Sequence, residues 1–515
     1  MKSDISSKTT IAKNTTLLYG RTVLIMLVSL YTSRVILIAL GVEDYGVYTA
    51  IGGIIAFLAM VTGPIDAAIS RFLTYELGRG DTERVRRYFS TGLTIMIIFS
   101  VLSIILLETV GIWFLNQKMV IDESRVVAAN WVLHLSIATF VVNLISSPYR
   151  AAIIAHEQMS LFAYMGILDA VLKLAVAFIL LASPIDKLIL YAFLMFAVAV
   201  FVRFIYTIIC NRKFKECRSV KINLDKELFK GLFSFAGWNV FGAMALFCRG
   251  QGVNILFNLF GGPVVNAAYG IANQVNSAVG SFVNNFTTAL NPSIIKSYAA
   301  AEKQYMMSLV YQGARFSYFL VLFFAMPLIL EARAVTFLWL GQTPDYSVIF
   351  IQLILVYSLI ESLSKTIMAG VHASGKIRTY QIVIGLFQVI ILPVAYILLW
   401  RGYSPIAVLV AMVVIDIVAV FARMFMAKHI FNLSIRAYLY EVVQKALVVT
   451  IVALIVPLLI RVYMDDTIVR FIVVSLTSLG SIALAVLYVG CTKNERIAIM
   501  TKVNQFLLSK KIKTK

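Results

Sequence analysis

The sequence predicts an all-α polytopic membrane protein of about fourteen transmembrane helices, each with the roughly 17–25 apolar residues that a bilayer requires. Two observations support this fold class. Of the 515 residues, 61% are hydrophobic and only 14% are charged, and the mean hydropathy is +0.90. A soluble domain carries about 25% charged residues, so this chain has too few polar side chains to cover a water-facing surface. Long apolar stretches also recur along the whole chain, with polar segments between them.

The spans that we predict in the first half of the chain are 17–40, 47–69, 91–115, 126–145, 161–181, 188–209 and 232–257. The spans that we predict in the second half are 264–290, 314–330, 348–368, 382–400, 406–426, 446–463 and 468–489. The first stretch is too long for a cleaved signal peptide, so we interpret it as an uncleaved first span.

An even number of spans places both termini on the same side of the membrane. Most of the 45 Lys and Arg residues fall in the loops and tails of that side, which predicts that it is the cytoplasm. The predicted domain limits are a cytoplasmic N-terminus (1–16), an N-lobe (17–210), a basic linker (211–230), a C-lobe (231–426), two further helices (427–490) and a basic cytoplasmic tail (491–515).

The net charge of +20 would suggest nucleic acid as the partner of a soluble protein. Here the charges lie between apolar spans, so we expect membrane lipids and no nucleic acid as partners. The four Cys and four His residues lack metal-ligand spacing, and no Walker, GxSxG or HExxH motif is present. We therefore expect no metal, no cofactor and no enzymatic activity. The oligomeric state is left open.

An internal repeat organises the chain. When Gly41 is aligned with Gly262 without gaps, the run GVEDYGVYTAIGG falls on GPVVNAAYGIANQ, and Asp81 falls on Glu302. Both copies enter the membrane from the same side, which is typical of a parallel repeat. We expect two six-helix lobes related by a pseudo-twofold axis along the membrane normal, with two added C-terminal helices and a substrate path between the lobes.

Charged side chains within spans are costly and need a partner or a function. Arg34 and Arg249 fall in the outer halves of the leading helices of the two repeats, and neither has an acidic residue three or four positions away. The planar guanidinium group matches phosphate oxygens, so these arginines favour an anionic ligand. The alternative is that they snorkel to the outer headgroups.

The other charges within spans have local explanations. Interhelical pairing of Arg21 with Asp66 is plausible because both lie at similar depth near the inner face. Spacing along one helix predicts three further pairs, which are Asp169 with Lys173, Glu361 with Lys365, and Asp416 with Arg423.

Side-chain amides are frequent in the seventh and eighth spans. Gln251, Asn254 and Asn258 lie on or near one helical face, and Asn273 and Asn276 follow on the next helix. Amides can bond sugar hydroxyls in a cavity. They can also join helices, because amides in lipid seek partners.

Three runs stand out together, namely Arg34 followed by LGVEDYGVY, then FNLFGGPVVNAAYGIANQV and NNFTTALNPSIIKSYA. These runs resemble bacterial polysaccharide flippases of the Wzx type, in the multidrug/oligosaccharidyl-lipid/polysaccharide (MOP) exporter superfamily. The resemblance covers roughly residues 14–303. It implies alternating access between two lobes. It also implies a bacterial inner-membrane location and a substrate of undecaprenyl diphosphate that carries an O-antigen, capsule or exopolysaccharide unit.

The resemblance also implies a cationic cavity that holds the diphosphate. By position, Arg34 and Arg249 would serve there, with Arg21 and Lys173 deeper in the N-lobe. Asp66 is the first candidate for coupling to H⁺ or Na⁺, and Asp416 is the second.

Two other classes are weighed against the flippase. A multidrug exporter of the same fold handles cations and would carry excess acid in its cavity, whereas the excess charge here is positive. A membrane glycan polymerase or ligase would carry a sizeable outer loop, whereas every predicted outer loop is short.

Overall fold

The structure is a computed structural model that describes residues 2–117, 122–218, 225–341, 343–493, 495–497 and 500–501. All regular elements within these ranges are helices. Most of the basic tail predicted over 491–515, and residues 219–224 of the predicted linker, lie outside the described residues.

The helices are numbered in chain order. Those that begin in the first half are α1 (Lys2–Arg79), α2 (Thr82–Leu106), α3 (Ile112–Gln117), α4 (Val126–Ala155), α5 (Met159–Ala182), α6 (Lys187–Lys213) and α7 (Lys226–Ala299). Those that begin in the second half are α8 (Lys303–Leu330), α9 (Ala332–Leu340), α10 (Ser347–Ser362), α11 (Lys365–Ser374), α12 (Arg378–Trp400), α13 (Pro405–Phe431), α14 (Ile435–Tyr438), α15 (Lys445–Tyr463) and α16 (Ile468–Ala485). π-Helical turns at Leu107–Gly111 and Leu439–Gln444 join α2 to α3 and α14 to α15.

The described residues contain 12 helical stretches that are long and apolar enough to cross a membrane. They confirm the predicted fold class, an all-α polytopic membrane protein. The two other predicted spans, 47–69 and 264–290, are also helical and belong to the second arms of α1 and α7. Each predicted span therefore lies on helix, with a two-residue turn at 363–364 inside the span 348–368.

The two longest helices each bend at one glycine. Gly41 in α1 has φ 78° and ψ 170°, and Gly262 in α7 has φ 71° and ψ −173°. This region of backbone conformation is essentially restricted to glycine, because a Cβ atom would clash there. The two glycines that the sequence repeat superposes thus share one rare conformation.

The repeat extends to the turns that follow α1 and α7. Gly80 and Ala301, which the same gapless alignment superposes, both have positive φ, at 75° and 60°. The next N–H groups, of Asp81 and Glu302, each donate to the carbonyl five residues earlier, at 3.2 and 2.9 Å. This is the Schellman pattern of helix termination, so the alignment of the two repeats holds through both turns.

The described residues pack into two compact units. Unit 1 comprises Met1–Met244, Thr288–Met306 and His372–Gln381, and unit 2 comprises Ala245–Thr287, Met307–Val371 and Ile382–Lys515. In unit 1, α1 packs on α2, α4 and α5, and α4 packs on α6; in unit 2, α10 packs on α13 and α15 on α16. The lobe limits stated above remain a prediction.

One arginine joins three segments of unit 1. Arg125, just before α4, donates from Nε to Asp44 Oδ1 at 2.8 Å and from Nη1 to Asp186 Oδ2 at 2.6 Å. Burial raises the pKa of Asp186, but the hydrogen bonds from Arg125 and from N–H groups at the start of α6 outweigh it, so the pKa lies below its usual value. This carboxylate therefore stays ionised and keeps Arg125 in place.

Candidate functional site

A cavity of about 630 Å³ lies within unit 1. Its wall includes α1, α4, α5, α6 and the end of α7. The charged side chains that line it are Arg21, Asp66, Arg71, Arg150, Asp169 and Lys173. Four basic and two acidic groups leave a formal excess of two positive charges. Uncharged polar groups, such as Thr139, Asn143 and Asn291, also face the cavity.

Asp66 lies on the second arm of α1 and faces α4. Its carboxylate accepts hydrogen bonds from Ser147 Oγ and, at 3.4 Å, from Arg150 Nη2. The ion-pair partner that the structure gives Asp66 is therefore Arg150, whereas the sequence suggested Arg21. This pair cancels one positive charge of the cavity.

The three pairs predicted from helical spacing are confirmed. Lys173 Nζ lies 2.7 Å from Asp169 Oδ2 on α5. The pairs in unit 2 are longer, with Lys365–Glu361 at 3.2 Å and Arg423–Asp416 at 3.5 Å. Only the pair on α5 lines the cavity, where both of its side chains remain more than a third exposed.

Arg71 is anchored more firmly than the other basic groups. Its Nε and Nη2 atoms donate to the carbonyls of His372 and Ala373, at 3.0 and 2.8 Å. These carbonyls end α11, where an arginine satisfies the last acceptors and opposes the helix dipole. The guanidinium group also lies over the rings of Phe72 and Tyr75, at 4.5 and 4.8 Å. Arg71 therefore holds the segment that ends α11 within unit 1.

Of the charged side chains that line the cavity, Arg21 is the least engaged in ion pairs and hydrogen bonds. Its guanidinium group lies over the ring of Phe162, with Cζ 4.7 Å from the ring centroid. Its Nε atom is buried and has no hydrogen-bond partner. A buried donor without an acceptor costs about 1–3 kcal/mol, so this packing of Arg21 is held at a cost.

The structure brings together three of the predicted site residues, Arg21, Lys173 and Asp66. Arg34 lies exposed on α1 and does not line this cavity. Arg71 and Arg150 were not among the predicted site residues. The fourth predicted span ends at residue 145, whereas α4 continues to Ala155 and carries Arg150 along the cavity wall.

Arg249 and Asp416 lie in unit 2. Arg249 donates from Nη1 to Gln388 Oε1 at 2.6 Å and to the hydroxyl of Tyr357, whose ring its guanidinium group also covers at 5.0 Å. Asp416 is 2% exposed, and its nearest basic atom is Nη1 of Arg423. Neither carboxylate oxygen of Asp416 has a hydrogen-bond partner.

The predicted cavity-lining amides also lie in unit 2. Gln251 and Asn258 are exposed, and Asn254 and Asn273 are half-buried. The fifth amide, Asn276, accepts a hydrogen bond from the hydroxyl of a serine on α10. Asn276 therefore joins two helices, which was the alternative considered for these amides.

Comparison with solved structures defines the class of protein. A MATE protein in its straight conformation matches with a TM-score of 0.72 and 13% identity, over 83% of this chain and 96% of that one. An outward-facing multidrug resistance MATE transporter of the MOP superfamily matches with a TM-score of 0.68, 12% identity and coverage of 82% and 96%. A MOP superfamily transporter from Pyrococcus furiosus, described as having a binding pocket of reverse polarity, matches with a TM-score of 0.68, 13% identity and coverage of 83% and 96%. The chain thus has the fold of the MOP transporters.

The sequence itself then narrows the class. Residues 11–298, more than half of the chain, match the polysaccharide biosynthesis protein family. The protein belongs to this family, which confirms the resemblance to MOP exporters of the polysaccharide type. No curated protein matches the sequence.

Proposed function

We propose that the protein is a flippase that carries undecaprenyl-diphosphate-linked oligosaccharide from the inner to the outer leaflet by alternating access. The glycan would be an O-antigen, capsule or exopolysaccharide unit. The observation that carries the proposal is the excess of two positive charges in the cavity of unit 1, in a chain of the polysaccharide biosynthesis family. Guanidinium and ammonium groups form strong charge-assisted hydrogen bonds with phosphate oxygens.

In this proposal Arg21 and Lys173 hold the diphosphate. Arg21 lines the cavity and can donate from its terminal Nη atoms, and Lys173 can exchange its carboxylate partner for a phosphate oxygen. Polar groups of the wall, such as Asn143 and Asn291, face the same space and suit sugar hydroxyls. Arg34 and Arg249 stay candidates for contacts with the anion in the outer halves of the leading helices.

Energy coupling is assigned to Asp66, with Asp416 as the second candidate. A proton or sodium ion bound at Asp66 would neutralise this carboxylate and release Arg150, which would raise the positive charge of the cavity. The membrane potential would also act on the anionic substrate, with about 2.3 kcal/mol per charge for each 100 mV. We place the protein in the bacterial inner membrane with both termini in the cytoplasm.

The test is complementation of a deletion strain that makes a surface glycan. The variants are Arg21→Ala, Lys173→Ala and the double variant, and Arg401→Ala serves as a control that lies outside the cavity. We expect the double variant to lower surface glycan by about tenfold or more, because it removes both charge-assisted contacts with the diphosphate, at an unchanged protein level in the membrane. A wild-type level of surface glycan in the double variant would show that Arg21 and Lys173 do not form the substrate site.

The shared fold keeps a multidrug exporter as the second candidate function. The same deletion strain separates the two, because loss of an exporter would cause drug sensitivity with normal surface glycan. The excess positive charge favours the flippase, since a cationic cavity repels organic cations.

A further inference from the structure

We infer that Gly166 is a positioning residue for Arg21. The absence of a side chain at this position of α5, together with the ring of Phe162, fixes the guanidinium group in the orientation that receives a phosphate group. The inference rests on the proposed function, because it concerns the same cavity and the same anionic ligand.

One face of α5 forms this part of the cavity wall. Phe162, Gly166, Asp169 and Lys173 recur at spacings of four, three and four residues, which places them on one side of a helix. All four line the cavity. Because α1 packs on α5, Arg21 projects from α1 onto this face.

Gly166 leaves a notch that the guanidinium group fills. A Cβ atom at position 166 would lie 2.6 Å from Nη2 and 2.8 Å from Cζ of Arg21, and still closer to Nε. Cβ atoms essentially never come within 3.0 Å of a heavy atom to which they are not bonded through the local chain. Any side chain at this position must therefore displace the guanidinium group.

The displacement would affect the arginine more than the helix packing. The three atoms nearest to the added Cβ all belong to the end of a flexible side chain, and no backbone atom is among them. A methyl group at position 166 can thus be accommodated by rotating Arg21. The fold is kept, and the orientation of one charge is lost.

Phe162 supplies the second restraint. The ring lies 4.7 Å from Cζ of Arg21, in the range of a cation–π contact, which is worth about 0.5–2 kcal/mol. The neighbouring carboxylate of Asp169 is already paired with Lys173. The notch and the ring therefore hold Arg21 with its Nε atom packed against α5, so that the terminal Nη atoms are the donors that remain for a phosphate oxygen in the cavity.

The test measures binding of undecaprenyl diphosphate to the full-length protein in nanodiscs, for Gly166→Ala, Arg21→Ala and the double variant. Gly20→Ala is the matched control, because Gly20 precedes Arg21 on α1 and a Cβ atom there meets nothing within 4 Å. We expect Gly166→Ala to raise the Kd by about fivefold or more and Gly20→Ala to leave it unchanged. The double variant should bind no more weakly than Arg21→Ala alone, because Gly166 acts through Arg21.

The outcomes separate this inference from the proposed function. An unchanged Kd for Arg21→Ala would contradict the proposed site itself. A raised Kd for Arg21→Ala, combined with wild-type binding by Gly166→Ala or with additive losses in the double variant, would overturn only the positioning role. Phe162→Leu, which adds no bulk at the notch, provides a second variant, and we expect it to raise the Kd by about two- to threefold.

Discussion

Two of the glycine notches in unit 1, at Gly166 and Gly242, are filled in different ways. At Gly166 the guanidinium group of Arg21 fills the notch, and at Gly242 the amide of Gln381 does so. The alignment that superposes Gly41 and Gly262 also places Gly242 on Arg21, so the first helix of each repeat takes part in one notch. In the first notch this helix contributes the long side chain, and in the second it contributes the glycine.

The two long side chains differ in charge and in how well they are satisfied. Gln381 is neutral and 5% exposed, and its Nε2 atom donates to Asn239 Oδ1 at 2.9 Å. Arg21 is charged, lines the cavity and retains an Nε atom without an acceptor. The repeat thus places a similar contact twice; at Gln381 it serves packing, and at Arg21 we propose that it serves a ligand. An internal repeat can therefore keep the position of a contact while its chemistry changes.

The largest expected effect comes from breaking the bend that both repeats share. Gly41→Val and Gly262→Val force a β-branched residue into a conformation that glycine alone adopts readily, at a cost of about 1–3 kcal/mol or more each. We expect most of the folded protein to be lost, measured by fluorescence-detected size-exclusion chromatography. Gly46→Ala and Gly270→Ala, where a Cβ atom meets nothing within 4 Å, should remain near the wild-type level. Normal amounts of both valine variants would show that positions 41 and 262 do not require glycine.

An intermediate effect sharpens the contrast between the two notches. Gln381→Ala leaves Asn239 in a buried position without its partner, which costs about 1–3 kcal/mol. We expect a lower melting temperature, measured by differential scanning fluorimetry of the purified protein, and an unchanged Kd for undecaprenyl diphosphate. A raised Kd at full thermal stability would mean that the second notch also serves the ligand.

The smallest expected effect concerns the turns that follow α1 and α7. Gly80→Ala introduces a Cβ atom at positive φ and should destabilise the protein by about 1–2 kcal/mol. Ala301→Gly relieves the same strain at the equivalent position but adds freedom to the unfolded chain, so its effect should be stabilising and below about 1 kcal/mol. Thermal melts of the two variants check the opposite signs. Two shifts of the same sign would show that the turns are not equivalent.

Much of the fold follows from the sequence because burial in lipid imposes a simple rule. Long apolar stretches must be helical to satisfy their backbone groups, so each predicted span coincides with a helix. The sequence repeat matched Gly41 with Gly262, but the bend that each makes in a long helix was not predicted, because each glycine lies between two separately predicted spans.

The cavity was predictable only in part. Arg21, Lys173 and Asp66 were found because charges within apolar stretches are conspicuous. Arg150 was missed because hydropathy ends a span before its helix ends. The partners of Arg71 are backbone carbonyls about 300 residues away, a contact that leaves no local pattern. The role that we infer for Gly166 also could not be predicted from the sequence, because a glycine leaves space whose importance depends on the side chain that packs against it.

The bend at Gly41 has a mechanical consequence. The second arm of α1 runs from residue 42 to Arg79, so its far end lies about 57 Å from the bend at 1.5 Å per residue. A rotation of about 5° at Gly41 would move that end by about 5 Å over an arm of this length. At that end, Gly78 comes so close to Lys296 that an added Cβ atom would lie 2.8 Å from the lysine Cα. Gly41 is thus the hinge of a long helical arm. Any rotation there must first separate the backbones of Gly78 and Lys296, which are in contact because no side chain lies between them.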